Sequence, residues 1–313
     1  MSPPGSQRVW VLALAALLAC AAARAARART RRRVMLARGE LRRLDERQWT
    51  IAGRRVIARV AGHPASGAPP VVLVHGLGVS SSYFLPAAER LATRFTVYAP
   101  DLPGHGHSEA PAVPLDVRGL ADALAQWMQA ARIERASIVG HSMGCQVAAD
   151  FALRHPDRVA RLILIGPTLA PSLRNLLRIA PRFLAGGAFE RPALLLHIAK
   201  DYLRMGWRVV PEAQSLMRDP IERKLARISV PVMLVCGQRD TLVPQSWLTD
   251  AAALARAQDV AVIPGWGHAV QFSAPQQVVQ AITPFLAMPE DTDLEMDRAR
   301  AGTSEANARS NAP

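Results

Sequence analysis

A serine, an aspartate and a histidine stand in settings that suit acyl-transfer chemistry. Ser142 lies in Gly140-His141-Ser142-Met143-Gly144, directly after the apolar run Ala136–Val139 and directly before a helical pattern. A nucleophile on a sharp strand-to-helix turn takes strained backbone angles, and glycine two residues to either side leaves room for the turn. That turn lifts Ser142 Oγ out of the sheet, beside a helix N-terminus whose free N–H groups favour negative charge. A serine hydroxyl is inert without a base, so a histidine and an acid are required further along. Asp240 follows the run Val232–Val235, in Cys236-Gly237-Gln238-Arg239-Asp240. His268 follows the last apolar run, in Pro264-Gly265-Trp266-Gly267-His268. Both fall in loops beyond the carboxyl ends of strands, where ligands and chemistry gather in open α/β sheets. An oxyanion hole is the remaining part. His75-Gly76-Leu77-Gly78 follows Val71–Val74, and the backbone N–H groups of Leu77 and Met143 are the expected donors.

The elements that must position these residues alternate along the chain. Trp49–Val60 alternates around Gly53, which predicts a β-hairpin. Short continuous apolar runs follow at Val71–Val74, Phe95–Ala99, Ala136–Val139, Arg161–Ile165, Val232–Val235 and Val260–Ile263. Runs of that kind suit parallel strands covered on both faces. Helical patterns lie between them, around Leu85–Leu91, Val117–Ala130, Met143–Arg154, Gln245–Ala257 and Pro275–Leu286. Strands alternating with helices predict an α/β fold with a doubly wound, mostly parallel sheet. One interval breaks the rhythm. About sixty helix-like residues separate Gly166 from Ser229, where a usual crossover needs about a dozen, so an inserted cap is expected at about 167–229.

The remaining reactive side chains read as structural. His105 and His107 sit in a Gly-rich loop where local hydrogen bonds are expected, and His63, His155 and His197 lack acid or cysteine partners at ligand spacing. Cys145 and Cys236 read as small buried residues. No metal and no cofactor are expected.

Composition narrows the class. Half of the 313 residues are hydrophobic and 20% are charged, which excludes a disordered chain, a collagen-like fibre and a multi-span membrane protein. Three cysteines exclude a disulfide scaffold. The net charge of +13 is unevenly placed: residues 1–47 hold eleven Arg against three acids, and the stretch from Pro289 holds three Arg against six acids. No basic stripe interleaved with aromatics is present, so nucleic acid is not an expected partner. Val9–Ala23 is a 15-residue apolar run followed by Arg24, Arg27, Arg29 and Arg31–Arg33. A spanning helix wants about 20 residues, so the run suits a short anchor or a signal-peptide core. Arginine after the run favours an uncleaved anchor with the following domain on the cytoplasmic side. Cleavage near Cys20 or after Ala23, or translation from Met35, are the alternatives. Domains are expected at 1–47 (anchor-like segment and Arg-rich linker), 48–288 (catalytic domain) and 289–313 (disordered tail).

His75-Gly76-Leu77-Gly78, Asp101-Leu102-Pro103-Gly104-His105-Gly106-His107-Ser108, the Ser142 turn, the Asp240 loop and Gly267-His268 together resemble the α/β-hydrolase superfamily over roughly residues 48–288. The order Ser142, Asp240, His268 is the order of that superfamily. The resemblance implies a serine esterase or lipase-like enzyme acting on an ester of a small molecule or lipid. It also admits acyltransferases, carbon–carbon bond hydrolases and cofactor-free haloperoxidases, whereas a non-catalytic binding protein on this fold is disfavoured by the intact set Ser142, Asp240 and His268. Superfamily members with an aspartate nucleophile are disfavoured by Ser142. The resemblance makes His75 and His141 supporting residues rather than bases. The cap is apolar and basic together, and its Leu, Phe and Trp side chains either pack it onto the sheet or line a pocket for an acyl chain. Arg174, Arg178, Arg182, Arg204 and Arg208 are placed to meet anionic lipid if the domain lies near a bilayer.

Overall fold

The computed structural model describes residues 23, 25–62 and 67–289. The apolar run over residues 9–22, the acidic tail over 290–313 and His63 lie outside the described residues. The chain divides into two compact units, Met1–Arg43 and Leu44–Pro313. In the first, helix α1 covers 25–37, and its alanines and arginines are strong helix formers. Among the described residues no helix is long and apolar enough to cross a membrane.

The second unit is built on an eight-stranded sheet in the order β1-β2-β4-β3-β5-β6-β7-β8. Strands β1 (Asp45–Ile51) and β2 (Arg54–Ala61) form the expected hairpin, closed by Ala52 and Gly53 at φ 49° and 76°. Two consecutive positive φ values make a turn whose twist matches the strands it joins. β2 pairs antiparallel with β4 (Val97–Pro100). β3 (Val71–Val74), β5 (Ala136–His141), β6 (Val159–Ile165), β7 (Val232–Gly237) and β8 (Asp259–Ile263) complete a parallel sheet. Strand β4 begins later than the expected Phe95, because Phe95 N–H is taken by Leu91 O in the turn that closes the preceding helix.

Side chains alternate across the central strands, so each face buries its own core. Val72, Val74, Ile138, Leu162, Leu164 and Leu234 pack under helices α3 (Val117–Ala130), α4 (Met143–Arg154) and α9 (Gln245–Leu254). Val71, Leu73, Val139, Ile163, Ile165 and Val235 pack on the other face under α2 (Leu85–Leu91), the short α10 (Val270–Ser273) and α11 (Pro275–Ala287). The sheet is therefore covered on both faces, as the continuous apolar runs required. β8 departs from that pattern: Val260 and Val262 are exposed, because the strand closes the sheet and pairs with β7 alone.

Between β6 and β7 the chain forms the helical cap: α5 (Leu176–Gly186), α6 (Pro192–Met205), α7 (Val209–Arg218) and α8 (Ile221–Leu225). The apolar cap residues divide into two sets. Leu173, Leu194, Met205 and Leu216 are buried, whereas Leu177, Leu184, Leu196 and Leu203 are exposed.

Candidate active site

Ser142 follows the last residue of β5 and caps α4 with φ 56° and ψ −122°. Its N–H bonds Ile165 O of the adjacent strand at 3.0 Å, and its own carbonyl accepts Cys145 N–H at 2.9 Å to start the helix. These two bonds hold a non-glycine residue in a left-handed conformation that costs about 1–3 kcal/mol. The flanking glycines are dictated by contact: a Cβ at Gly140 would meet Gly144 O at 2.4 Å, and one at Gly144 would meet Val74 O at 2.2 Å. The loop after β3 crosses the same turn, so closely that a Cβ at Gly76 would lie 3.1 Å from Ser142 Cβ. Leu77, half-buried, follows in that loop, and Met143 is fully buried at the first position of α4. Gly76 N–H is already taken by Tyr83 Oη at 3.0 Å, which leaves the next residues of the loop to face the turn.

Asp240 and His268 meet across the ends of β7 and β8. His268 Nδ1 lies 2.7 Å from Asp240 Oδ2, while Asp240 Oδ1 accepts Leu242 N–H at 2.8 Å and Val243 N–H at 3.1 Å. The carboxylate is thus aimed by two backbone donors and reaches the imidazole with its other oxygen. Burial alone would lower the His268 pKa, but the Asp240 charge and hydrogen bond outweigh it and raise the pKa above the ordinary imidazole value. Gly166, next after Ile165, brings this pair to the serine turn: a Cβ there would sit 2.9 Å from His268 Cε1 and 3.4 Å from Asp240 Oδ2. His268 Nε2 is buried without a hydrogen-bond partner among the described residues.

A relay of hydrogen bonds joins the loop after β3 to the histidine loop. Tyr83 Oη lies 2.6 Å from His141 Nδ1, and His141 Nε2 lies 3.0 Å from His268 O. Burial, and then the nearby His268 charge, hold the His141 pKa well below its ordinary value. A neutral His141 satisfies both contacts only with its proton on Nε2, donating to His268 O and accepting from Tyr83. His75 is neutral for a similar reason, lowered to about 3 by burial and then by His105, and its Nε2 accepts Leu102 N–H at 2.9 Å. Among the described residues neither histidine forms an ion pair with an acid, although the Asp101 charge acts on His75. His105 does more than bond locally, since its Nε2 lies 3.0 Å from the buried Glu212 carboxylate of α7. Burial pushes the Cys145 and Cys236 thiols up, so both stay protonated. Among the described residues no cluster of His, Cys, Asp or Glu is arranged to hold a metal ion.

One residue escaped the sequence reading. Glu190, in the cap, accepts Ala269 N–H at 2.7 Å and Ser273 Oγ–H at 2.5 Å, so it grips the loop that carries His268. Its neighbours hold the same loop: Gly267 N–H bonds Phe189 O at 3.3 Å, and Arg191 lies over the Trp266 ring at 5.4 Å. No motif marks Glu190. The only available signal is that Glu190 and Asp201 are the two acids between residues 167 and 211 of an otherwise basic cap. Asp201 also turns inward, accepting Ser80 N–H and Ser80 Oγ–H at 3.0 Å and 2.7 Å. Burial raises the Glu190 pKa, and the charge of Glu190 in turn adds to that of Asp240 in raising the His268 pKa. Glu190→Gln therefore moves the acid limb of the kcat/KM profile to lower pH, because the neutral imidazole persists further into acid. An unchanged or upward-moving limb in a pH–rate series contradicts this.

An eight-stranded, mostly parallel sheet with a helical cap, and a serine on a left-handed turn between strand and helix, defines the class of the protein. The model of the Alpha/beta hydrolase family matches residues 71–281, and the chain belongs to that family. An uncharacterized protein of Mycobacterium tuberculosis (strain ATCC 25618 / H37Rv) is 27% identical over 290 residues, covering 80% of this chain and 84% of that one. A protein of Enterobacter cloacae subsp. cloacae, provisionally named carbamate hydrolase RutD, is 30% identical over 242 residues, covering 69% of this chain and 91% of its own length. The crystal structure of a membrane phospholipase A has the same fold, with a TM-score of 0.68 and 24% identity over 89% of this chain and 98% of that one.

Proposed function

We propose that the protein is a serine hydrolase that cleaves a carboxylic ester or related acyl bond of an apolar small molecule or lipid. The reading rests above all on Ser142, held at φ 56° at the head of α4 with the His268–Asp240 pair across Gly166. Ser142 Oγ attacks the acyl carbon as His268 Nε2 takes its proton, and the N–H groups of Leu77 and Met143 receive the oxyanion. His268 then returns the proton to the leaving oxygen, and the C–O bond breaks to leave an acyl-enzyme. Water, deprotonated by His268, releases the acid. Asp240 orients the imidazole and stabilises its charged form. The catalytic unit runs from β1, which begins at Asp45, to α11, which ends at Ala287, with its cap between β6 and β7.

p-Nitrophenyl esters of rising chain length test the reading. A burst of about one p-nitrophenol per chain, followed by slower turnover, is expected when deacylation limits the rate. Hydrolysis of none of the esters contradicts it. An added alcohol that captures the acyl group in preference to water assigns the same chemistry to an acyltransferase. The carbamate-hydrolase relative favours a second reading, in which the acyl group is a carbamoyl group; a small carbamate in the same panel separates the two.

The run Val9–Ala23, with the arginines behind it, supports an uncleaved anchor with the hydrolase unit on the cytoplasmic side. An anchored chain stays with membranes through a wash at about 1 M salt, where the Debye length is only about 3 Å. Release by that wash, or a mature chain beginning at Cys20 or just after Ala23, contradicts the anchor.

A further inference from the structure

The outer face of the cap carries apolar side chains that cover nothing in this chain. On α6, Leu194, Asp201 and Met205 are buried and form the stripe that packs on the body. Leu196 and Leu203 each follow a member of that stripe by two residues, about 200° around the helix, and so point the opposite way. Helix α5 stands further out: from 177 to 185 every side chain except Ile179 is exposed. Leu177 and Leu184 share one side of it, seven residues apart. All four leucines are more than three-quarters exposed, and Trp207, just beyond α6, is 65% exposed. Scattered exposed leucines need no explanation, but four on two consecutive cap helices point to an interaction surface.

The charges around these side chains select the partner. Between residues 171 and 210 there are seven cations and two acids. Both acids face inward, Glu190 onto the histidine loop and Asp201 onto Ser80. Arg178, Arg182, Lys200 and Arg204 are exposed and keep their charge at the surface, although Arg178, Arg182 and Arg204 each give one guanidinium N–H to a backbone carbonyl, of Ser172, Thr241 and Gly106. The outer face is thus apolar and cationic, with no exposed carboxylate. A second copy of this face would set arginine against arginine, an arrangement that opposes association. An anionic bilayer matches both features: leucine and tryptophan enter the boundary of headgroup and acyl chain, and the cations meet the surface charge.

We propose that the outer face of α5 and α6, with Trp207, docks on the surface of an anionic lipid bilayer. The four leucines and Trp207 are not among the side chains that hold Ser142, Asp240 or His268, so the proposal stands apart from the reaction mechanism. Docking would also hold the cap against the phase in which an apolar ester dissolves.

Trp207 is a built-in probe. The full chain is reconstituted with vesicles of phosphatidylcholine alone, or of phosphatidylcholine mixed with phosphatidylglycerol, each carrying brominated acyl chains. The Trp207 signal is the difference between the wild type and Trp207→Phe, which removes any contribution from Trp10 in the apolar run. Quenching of Trp207 is expected in the anionic vesicles, with most of it lost in phosphatidylcholine alone and at high salt. The double variant Leu196→Ser/Leu203→Ser, altered only at exposed positions, should lose most of the quenching while keeping its ester turnover in solution. A Trp207 signal that brominated lipid leaves untouched in anionic vesicles overturns the proposal. So does a Trp207 signal that changes with protein concentration and not with lipid, which assigns the face to a second copy.

Discussion

Ser142→Ala is expected to lower ester turnover by about five to six orders of magnitude with the fold intact, as loss of the nucleophile does in a serine hydrolase. The side chain sits on a turn fixed by backbone bonds to Ile165 and Cys145, neither of which involves its hydroxyl. Alanine keeps the same Cβ against Gly76 and the same left-handed backbone, so thermal unfolding should change little. Glycine at the same place separates strain from chemistry. Ser142→Gly is equally inactive but gains about 1 kcal/mol over the alanine variant, because glycine adopts positive φ without the steric cost. Steady-state kinetics and thermal melts on the two variants check both statements. Substantial activity in a folded Ser142→Ala chain contradicts the serine mechanism.

The second large effect belongs to the acid. Asp240→Asn is expected to reduce turnover by about four orders of magnitude. Asn Oδ1 can still accept from Leu242 and Val243, so the loop keeps its shape. The amide nitrogen then faces His268 Nδ1 and donates to it, which places the imidazole proton on Nε2. An imidazole protonated there cannot accept the serine proton. Losing the carboxylate also lowers the His268 pKa, since the Asp240 charge is what raises it against burial. The residual activity should therefore keep its level to lower pH than in the wild type. Near-normal turnover in Asp240→Asn, with the loop unchanged, contradicts the assigned role.

Much of this architecture is legible in the chain because local pattern and global fold agree. The runs Val71–Val74 and Val232–Val235 are continuous and apolar, and the sheet buries both of their faces. The Ser142 turn is read from five residues because its two glycines answer to backbone contacts within that segment and the neighbouring strand. Val260 and Val262 read like a central strand yet lie exposed, since an edge position follows from strand order rather than from composition. The cap is harder still. Leucine occupies both the inner and outer sides of α6, so only the body it packs against distinguishes Leu194 from Leu196. Glu190 lies about eighty residues before the loop it grips, and a lone glutamate carries no spacing that would announce the contact. His105 is similar, its partner Glu212 being supplied by a helix of the cap.

The central claim is that Ser142 becomes covalently acylated. Brief exposure of the full chain to a fluorophosphonate, followed by digestion and peptide mass analysis, tests it most directly. One adduct per chain is expected, on the peptide containing Gly140-His141-Ser142-Met143-Gly144, with ester turnover lost in proportion and labelling abolished in Ser142→Ala. An active chain that takes up no label, or one inactivated by an adduct at any other residue, would contradict the account.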